Sequence, residues 1–564
     1  MNLTNQKSLS NFFQKDSFCL GVLSILVFVL FFPVYWWGMP NGYDLPFHYQ
    51  AAQAYFNSFQ AGNFLPAWSN VANLGFGDTT IRYYPPLAQY SLALFQLATE
   101  DWLTSLWLSL QLWMLLAVFG AYFFAKEWLS PLNSFYVAAL YAIAPYHLTQ
   151  AYQYFLYAEF AAAGVLPFCF LYLTRVCRNG TAKDVLGLSV SLAFLILCNL
   201  PALIVFTVCL GFYAILMLDW KNFRHVIPKL GLSGTGALAA TSFYWVRLIS
   251  ELDFYNHLSP KNFTKGLNFA ENFFPYYLRE FDLYYLKLLW LRDTVSFLTL
   301  LLLLPLLGYV VWNFKSILPA KRKLYLVFVL TGIFSFYMSS NLSFLIWSNV
   351  SFLQKVQFPF RFLTVAGLFG VLGFVIAFSH LQFSSNAAKT INKYIVLIFL
   401  FGVSLFNITQ LILPSETLPR EIFEEKLQEI DAKPSIEASW TIWSKETAFE
   451  QKEKVIVESR NVNINIWKDE IREFGVESGA ETKARIATFY FPYWQATVNG
   501  EKAVVELNAD GTMSIPIPAD SAKISLIFIE PFSLKIAKIV SLLSWFGFFI
   551  FGIWSLNKKL AINN

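Results

Sequence analysis

Asp44 and His48 stand four residues apart in "GYDLPFHYQAAQAYFNSFQ", just beyond the first strongly apolar run of this 564-residue chain. Positions i and i+4 of a helix share a face, so a carboxylate and an imidazole at this spacing suit two chemistries. The acid can act as a general base with the histidine as its helper, or the two can be a pair of metal ligands. The same spacing fits a structural pair, with Asp44 capping a helix and His48 in the headgroup layer. Glu159 opens an apolar run in "YFLYAEFAAAGVLPF". An acid in such a run marks a functional site by default, a structural cation partner being the alternative. Arg361, with Gln357 before it in "VQFPFRFL", enters another apolar run. A guanidinium there suits bidentate phosphate recognition, or snorkels to the interface. Arg82 in "TIRYYPPL" offers the same two roles, and Tyr83 and Tyr84 offer flat faces for a sugar or an isoprenoid tail. There is no Gly-rich phosphate loop, no Ser-centred nucleophile motif and no His/Cys zinc spacing.

These residues need a membrane scaffold to position them. The chain is 56% hydrophobic and 14% charged, against about 25% charged in soluble domains. Runs long enough to span a bilayer occur at 18–38, 103–125, 134–149, 157–175, 184–199, 201–219, 230–250, 295–315, 324–341, 362–380, 394–413 and 535–556. The fold class expected is a polytopic α-helical membrane protein of about twelve transmembrane helices. Residues 85–99 are apolar but shorter, as a re-entrant or interfacial segment would be. The first run ends in "PVYWWGMP" without a small-residue cleavage site, which favours a retained helix over a signal peptide. The five cysteines lie in or beside apolar runs and read as small fillers. Pro46 suits the first turn of a surface helix. On that helix Phe47, Ala51, Ala54, Tyr55 and Phe59 would form a lipid-facing stripe, leaving Asp44 and His48 to face a cavity.

Charge sorts the connections. Seven alternate segments hold seventeen Lys and Arg, while the four short opposite ones hold Arg82, Lys355 and Arg361. By the positive-inside bias, both termini lie in the cytoplasm of a bacterial inner membrane. The first loop (39–86), a second large loop (251–294), residues 342–361 and a block at 414–534 then lie outside. Residues 251–294 read either as a lid over a site or as an ordinary exposed loop. The last block changes to alternating strands, "KVIVES", "VNINIW", "ARIATFYF", "KAVVEL" and "AKISLIFI", with turns at "VNGE" and "NADGT". It is expected to form a small C-terminal extracytoplasmic β-sandwich, followed by a final helix and cytoplasmic tail at 535–564. A net charge of +5 spread over many loops indicates no nucleic-acid partner.

Several segments in order resemble a known group. The first loop carries Asp44 and His48, then Gly62, Pro66 and Trp68, then Gly75 and Gly77, then Tyr84, Pro85 and Pro86. "YAEFAAAGVLPF", "QFPFRFL" and "FPYWQATVNG" follow. Together they resemble bacterial membrane proteins labelled 6-pyruvoyl-tetrahydropterin synthase-related, akin to YfhO-like proteins; nothing in these residues suggests pterin chemistry. Tyr157 stands where that pattern has arginine, and Asn199 where histidine is common.

Such proteins look like members of the GT-C glycosyltransferase superfamily. The resemblance implies a GT-C-like domain over 1–413 that takes a sugar from a polyprenyl-phosphate carrier. The acceptor would be a cell-envelope glycan, lipid or protein. It implies Asp44 as the catalytic carboxylate. His48 and Glu159 would orient it or join it in binding a divalent ion, Mg or Mn, and Arg82 and Arg361 would hold the carrier phosphate, with Tyr84 and Gln357 beside the substrate. Two other classes stand beside this one: a transporter or flippase for a lipid-linked glycan, and a non-catalytic membrane assembly protein.

Overall fold

The computed structural model describes residues 14–77, 79–255, 268–275, 283–380, 402, 405, 416–435 and 440–563. Helix α1 (Asp16–Trp37) buries Cys19, Leu23, Val27, Phe31 and Val34, one stripe at helical spacing, and exposes Ile25, Phe28, Val29 and Trp36. An apolar helix with only one stripe covered is dressed for lipid on its other faces. After β1 (Met39–Pro40) come α2 (Leu45–Gln60), α3 (Leu87–Thr99), α4 (Trp102–Ala125), α5 (Pro131–Ala142), α6 (Pro145–Tyr152) and α7 (Tyr157–Asn179). The bundle continues with α8 (Ala182–Cys198), α9 (Leu200–Met217), α10 (Phe223–Ala240), α11 (Ser242–Ser250), α12 (Leu283–Trp312), α13 (Pro319–Ser339) and α14 (Leu363–His380). Seven helices among the described residues are long and apolar enough to cross a membrane. Helices α7 and α14 are almost wholly buried at the centre, whereas the last helix, α16 (Phe532–Asn563), is mostly exposed along its apolar length.

Eleven of the twelve expected runs fall on these helices, and 394–413 lies outside the described residues apart from 402 and 405. Two runs are broken rather than continuous. The run at 134–149 divides into α5 and α6, because Pro145 cannot continue α5 but suits the first turn of α6. The run at 230–250 divides at Thr241 into α10 and α11. Asn199 starts α9 by accepting the Ala202 N–H at 2.9 Å. The stripe expected to face lipid faces protein instead: Ala54, Tyr55 and Phe59 are buried against Ile81 and Ala93, Ala51 is buried too, and only Phe47 stays half-buried. An aromatic and small-residue stripe reads the same for either surface. Here α3 supplies the partner.

The C-terminal region begins with β2 (Thr417–Leu418), paired antiparallel to β1, and α15 (Arg420–Asp431), whose Asp431 accepts the Tyr49 hydroxyl at 3.0 Å. Nine strands follow: β3 (Val455–Val457), β4 (Val462–Lys468), β5 (Ile471–Val476), β6 (Thr482–Phe489), β7 (Trp494–Val498), β8 (Glu501–Ala503), β9 (Glu506–Leu507), β10 (Thr512–Ile517) and β11 (Ala522–Phe528). They form two antiparallel sheets, β3-β6-β10-β9 and β4-β5-β11-β7-β8. Asn499 and Gly500, at φ +53° and +89°, close the β7–β8 hairpin as a two-residue turn requires. "KAVVEL" is not one strand. It divides into β8 and β9, which belong to different sheets.

The first loop packs into this β-region. Trp68, Phe76 and Tyr83 share one core with Phe474, Ile486, Phe491 and Leu526. Gly77 is left-handed (φ +99°) and lies so close to the Trp68 ring that a Cβ would sit 2.4 Å from it. At the centre of the junction is Arg82, fully buried. Its Nε and Nη2 donate to both carboxylate oxygens of Glu251 (2.8 and 2.5 Å), Nη1 to the Ala67 carbonyl (2.5 Å) and Nη2 to Glu530 (3.1 Å). The rings of Phe491, Tyr493 and Phe528 lie 5.1–5.4 Å from the guanidinium. Arg247 and Lys538 also pair with Glu530. Burial would raise the Glu530 carboxyl, but Arg247, Arg82 and Lys538 override it and hold it at about 2.

Removing one partner of a buried ion pair strands the other charge. Arg82→Gln leaves Glu251 and Glu530 short of a cation and should cost about 3–5 kcal/mol. The thermal unfolding midpoint of the purified protein checks this, and a midpoint within a degree of the native chain contradicts it.

Candidate functional site

The site is assembled where the first loop meets α6, α7 and the turn before α14. Gly42 has no room for a side chain, since a Cβ would lie 2.3 Å from the Phe155 Cβ. That contact sets Asp44 against Tyr154, whose carbonyl faces the Asp44 N–H at 3.5 Å. Asp44 is the residue before α2, yet its carboxylate makes no capping hydrogen bond. It forms no side-chain hydrogen bond or ion pair among the described residues. Burial pushes its carboxyl up to about 6, against the opposing Arg361 cation and with the help of the Glu159 charge.

Glu159 sits in the first turn of α7, nearly inaccessible. Its Oε1 accepts the Tyr146 hydroxyl at 2.6 Å and the Gln150 amide at 2.9 Å. Its Oε2 lies 3.1 Å from Arg361 Nε. Arg361 belongs to the turn Pro359–Phe362 that feeds α14, and its guanidinium lies 5.1 Å from the Phe358 ring. The Nε–Oε2 approach is ionic but poorly aligned: among the described residues Arg361 Nε and Nη1 and Glu159 Oε2 have no hydrogen-bond partner, although all are buried. Native interiors leave few such groups, and each needs a reason. The two Arg361 nitrogens are charge-bearing donors that a small anion would satisfy, and the charge they carry acts on the Asp44 carboxyl.

The remaining expected residues divide. Tyr84 joins the site: its ring meets Phe47 at 4.8 Å and His48 at 6.1 Å, and its hydroxyl is bonded by the Asn199 side chain. His48 is buried beside it, within a box of Tyr84, Phe155 and Tyr157 rings, with Nδ1 3.0 Å from the Gln89 amide nitrogen. Burial pushes its imidazole down to about 3, so it is neutral at physiological pH. No hydrogen bond among the described residues ties it to Asp44. Gln357 is half-buried in a left-handed backbone (φ +67°), and its side chain makes no hydrogen bond to this cluster among the described residues. Arg82 lies elsewhere. Four of its five N–H groups are bonded within the junction described above and the guanidinium is fully buried there, so it is committed to that junction and not to the Asp44 site. The metal triad does not assemble either. Among the described residues no group of three His, Cys, Asp or Glu is placed to hold one ion, and Glu159 is committed to Arg361, Tyr146 and Gln150.

Sequence reasoning passed over Tyr146, Gln150, Tyr154 and Arg292. Tyr146 was hidden in what read as one uninterrupted span, 134–149, and Gln150 stands one residue past its end; Pro145 was the available signal. Arg292, at the start of the apolar part of α12, lies 5.2 Å from the Phe360 ring, which also packs on Tyr146 and Tyr154. It brings a second guanidinium toward the same aromatic floor. A pocket of about 230 Å³ borders Tyr146 and is lined also by His147, Thr299 and Thr364.

A family model described as "6-pyruvoyl-tetrahydropterin synthase related domain; membrane protein" matches residues 81–411. The match covers Tyr84, Glu159, Gln357 and Arg361 and begins after Asp44 and His48. Among solved structures, ArnT from Cupriavidus metallidurans bound to undecaprenyl phosphate is similar at 14% identity and a TM-score of 0.44, over 73% of this chain and 68% of that one. The apo state of the same protein gives 13% and 0.41, over 68% and 64%. No curated protein matches.

The opposing charges on Asp44 make its titration a test of the geometry. Dicyclohexylcarbodiimide reacts with protonated carboxyls, so labelling of Asp44, read by peptide mass, should fall with a midpoint near 6 in the native chain. Arg361→Gln should move that midpoint up and Glu159→Gln should move it down. A native midpoint in the ordinary carboxylate range, about 4, contradicts the arrangement.

Proposed function

The chain belongs to the 6-pyruvoyl-tetrahydropterin synthase-related family of membrane proteins, and we propose that it is a GT-C-type glycosyltransferase. It moves a sugar from a polyprenyl-phosphate carrier to a cell-envelope glycan, lipid or protein. One observation carries the reading: a half-buried Asp44 carboxylate lies in the field of a buried Arg361, and among the described residues neither that carboxylate nor Arg361 Nε and Nη1 has a hydrogen-bond partner. A base and an anion holder side by side are what this reaction class needs.

In the proposed step Asp44 accepts the proton of an acceptor hydroxyl as its oxygen bonds to the anomeric carbon. The bond from that carbon to the carrier phosphate breaks, and the phosphate leaves with the electron pair. Arg361 stabilises the charge that develops on it. Glu159 holds Arg361 in place and is itself held by Tyr146 and Gln150, so it is a positioning residue. Tyr84 supplies a flat wall. No step is assigned to a divalent ion, since the Glu159 carboxylate and the His48 imidazole that would share it with Asp44 are engaged with Arg361, Tyr146 and Gln150 and with Gln89. In this reading the site and the β-region face the outside of a bacterial inner membrane and both termini face the cytoplasm, as the distribution of Lys and Arg supports.

Lipid-linked sugars of cells lacking the protein should show one polyprenyl-phosphate sugar accumulating. The native gene should clear it, whereas Asp44→Asn should leave it uncleared with the protein folded in the membrane. Because the base must be ionised, turnover of the native enzyme should fall as pH drops through about 6. Clearance by the Asp44→Asn chain, or an intact lipid-linked glycan accumulating on one membrane face as a transporter would cause, overturns the assignment.

A further inference from the structure

We propose that a second site, on the other side of the residue 81–86 turn, binds the phosphate headgroup of an anionic lipid. This does not depend on the transfer reaction. A small open cleft, about 270 Å³ when the space open to solvent is counted, is lined by Tyr55, Leu65, Tyr90, Phe243, Tyr244 and Arg247. Three features fix the chemistry of its occupant.

The first is charge. The ion pairs that reach Arg247 join three cations, Arg82, Arg247 and Lys538, to two carboxylates, Glu251 and Glu530. This largely buried cluster therefore carries one surplus positive charge, and an anion would balance it. The second is the donor that lines the pocket. Arg247 is 5% exposed, and its Nε has no hydrogen-bond partner. The third is the poverty of other polar groups. The hydroxyl of Tyr55 is spent on the Ile81 carbonyl, that of Tyr90 on Phe64 and that of Tyr244 on Tyr83. The tyrosines therefore offer ring faces and no free hydroxyls, which suits an apolar body with an anionic head and fits a bare sugar poorly. Leu65 and Phe64, 46% and 54% exposed, provide an apolar margin along which an acyl or prenyl chain can leave.

The same turn serves both sites. Ile81 and Pro86 line this pocket, while Tyr84 between them packs on Phe47 and His48 at the Asp44 site. A lipid seated at Arg247 would brace the wall against which the proposed substrate rests.

Native mass spectrometry of the full-length purified chain, titrated with phosphatidylglycerol and with phosphatidylcholine, tests the site. The native chain should retain the anionic lipid about tenfold more strongly than the zwitterionic one, the size of one charge-assisted pair. Leu65→Trp, which fills the margin from an exposed position, and Arg247→Gln should each bring that preference below about twofold. The exposed Leu65 position keeps the test valid if Arg247→Gln fails to fold. Equal retention of the two lipids by the native chain, or an undiminished preference in Leu65→Trp, overturns the proposal. Displacement of the lipid by millimolar inorganic phosphate would mark a free-phosphate site and overturn the lipid assignment.

Discussion

A guanidinium taken out of water must find acceptors for its five N–H groups, or the burial is costly. Two buried arginines of this chain meet that demand differently. Arg82 is bonded to Glu251, Glu530 and a main-chain carbonyl and is walled by three rings. Arg361 has one carboxylate, poorly aligned, and two buried nitrogens without acceptors. The first solution is structural. The second leaves room for an acceptor that the chain does not itself supply.

The contrast accounts for the density of the first loop. Trp68, Phe76 and Tyr83 are spent on the core of the β-region, Arg82 on the junction with α11 and the approach to α16, and Tyr55 and Phe59 on α3. Asp44, whose side chain makes no bond among the described residues, is held by its backbone against Tyr154 through the Gly42–Phe155 contact. The loop is fixed on three sides, so the carboxylate is presented rather than free to wander. Preorganisation of this kind is what electrostatic catalysis needs.

The helices were legible where an apolar run was long and unbroken, as in α1, α4, α7 and α14, because the demand for internal hydrogen bonding in lipid leaves little choice. The neighbourhood of Asp44, Glu159 and Arg361 was legible for a related reason: charges at the ends of apolar runs have few places to go. Arg82 was not. Its acids stand 169 and 448 residues away, and an arginine beside two tyrosines looks the same whether it faces a phosphate or a carboxylate. Strand β5 was missed because the inward-facing position of its alternation holds Arg472, packed over Trp467 and Trp494. The pairing of Glu159 with Tyr146 and Gln150 depends on the break at Pro145, which hydropathy alone smooths over.

The central claim is that Asp44 and Arg361 act on one phosphate-linked bond. Purified native protein mixed with the lipid-linked sugars of deletion cells measures this most directly, with released polyprenyl phosphate quantified by mass. The account predicts release by the native chain, none by Asp44→Asn, and weak release with poorer carrier binding by Arg361→Gln. Release by the Asp44→Asn chain at the native rate would contradict it.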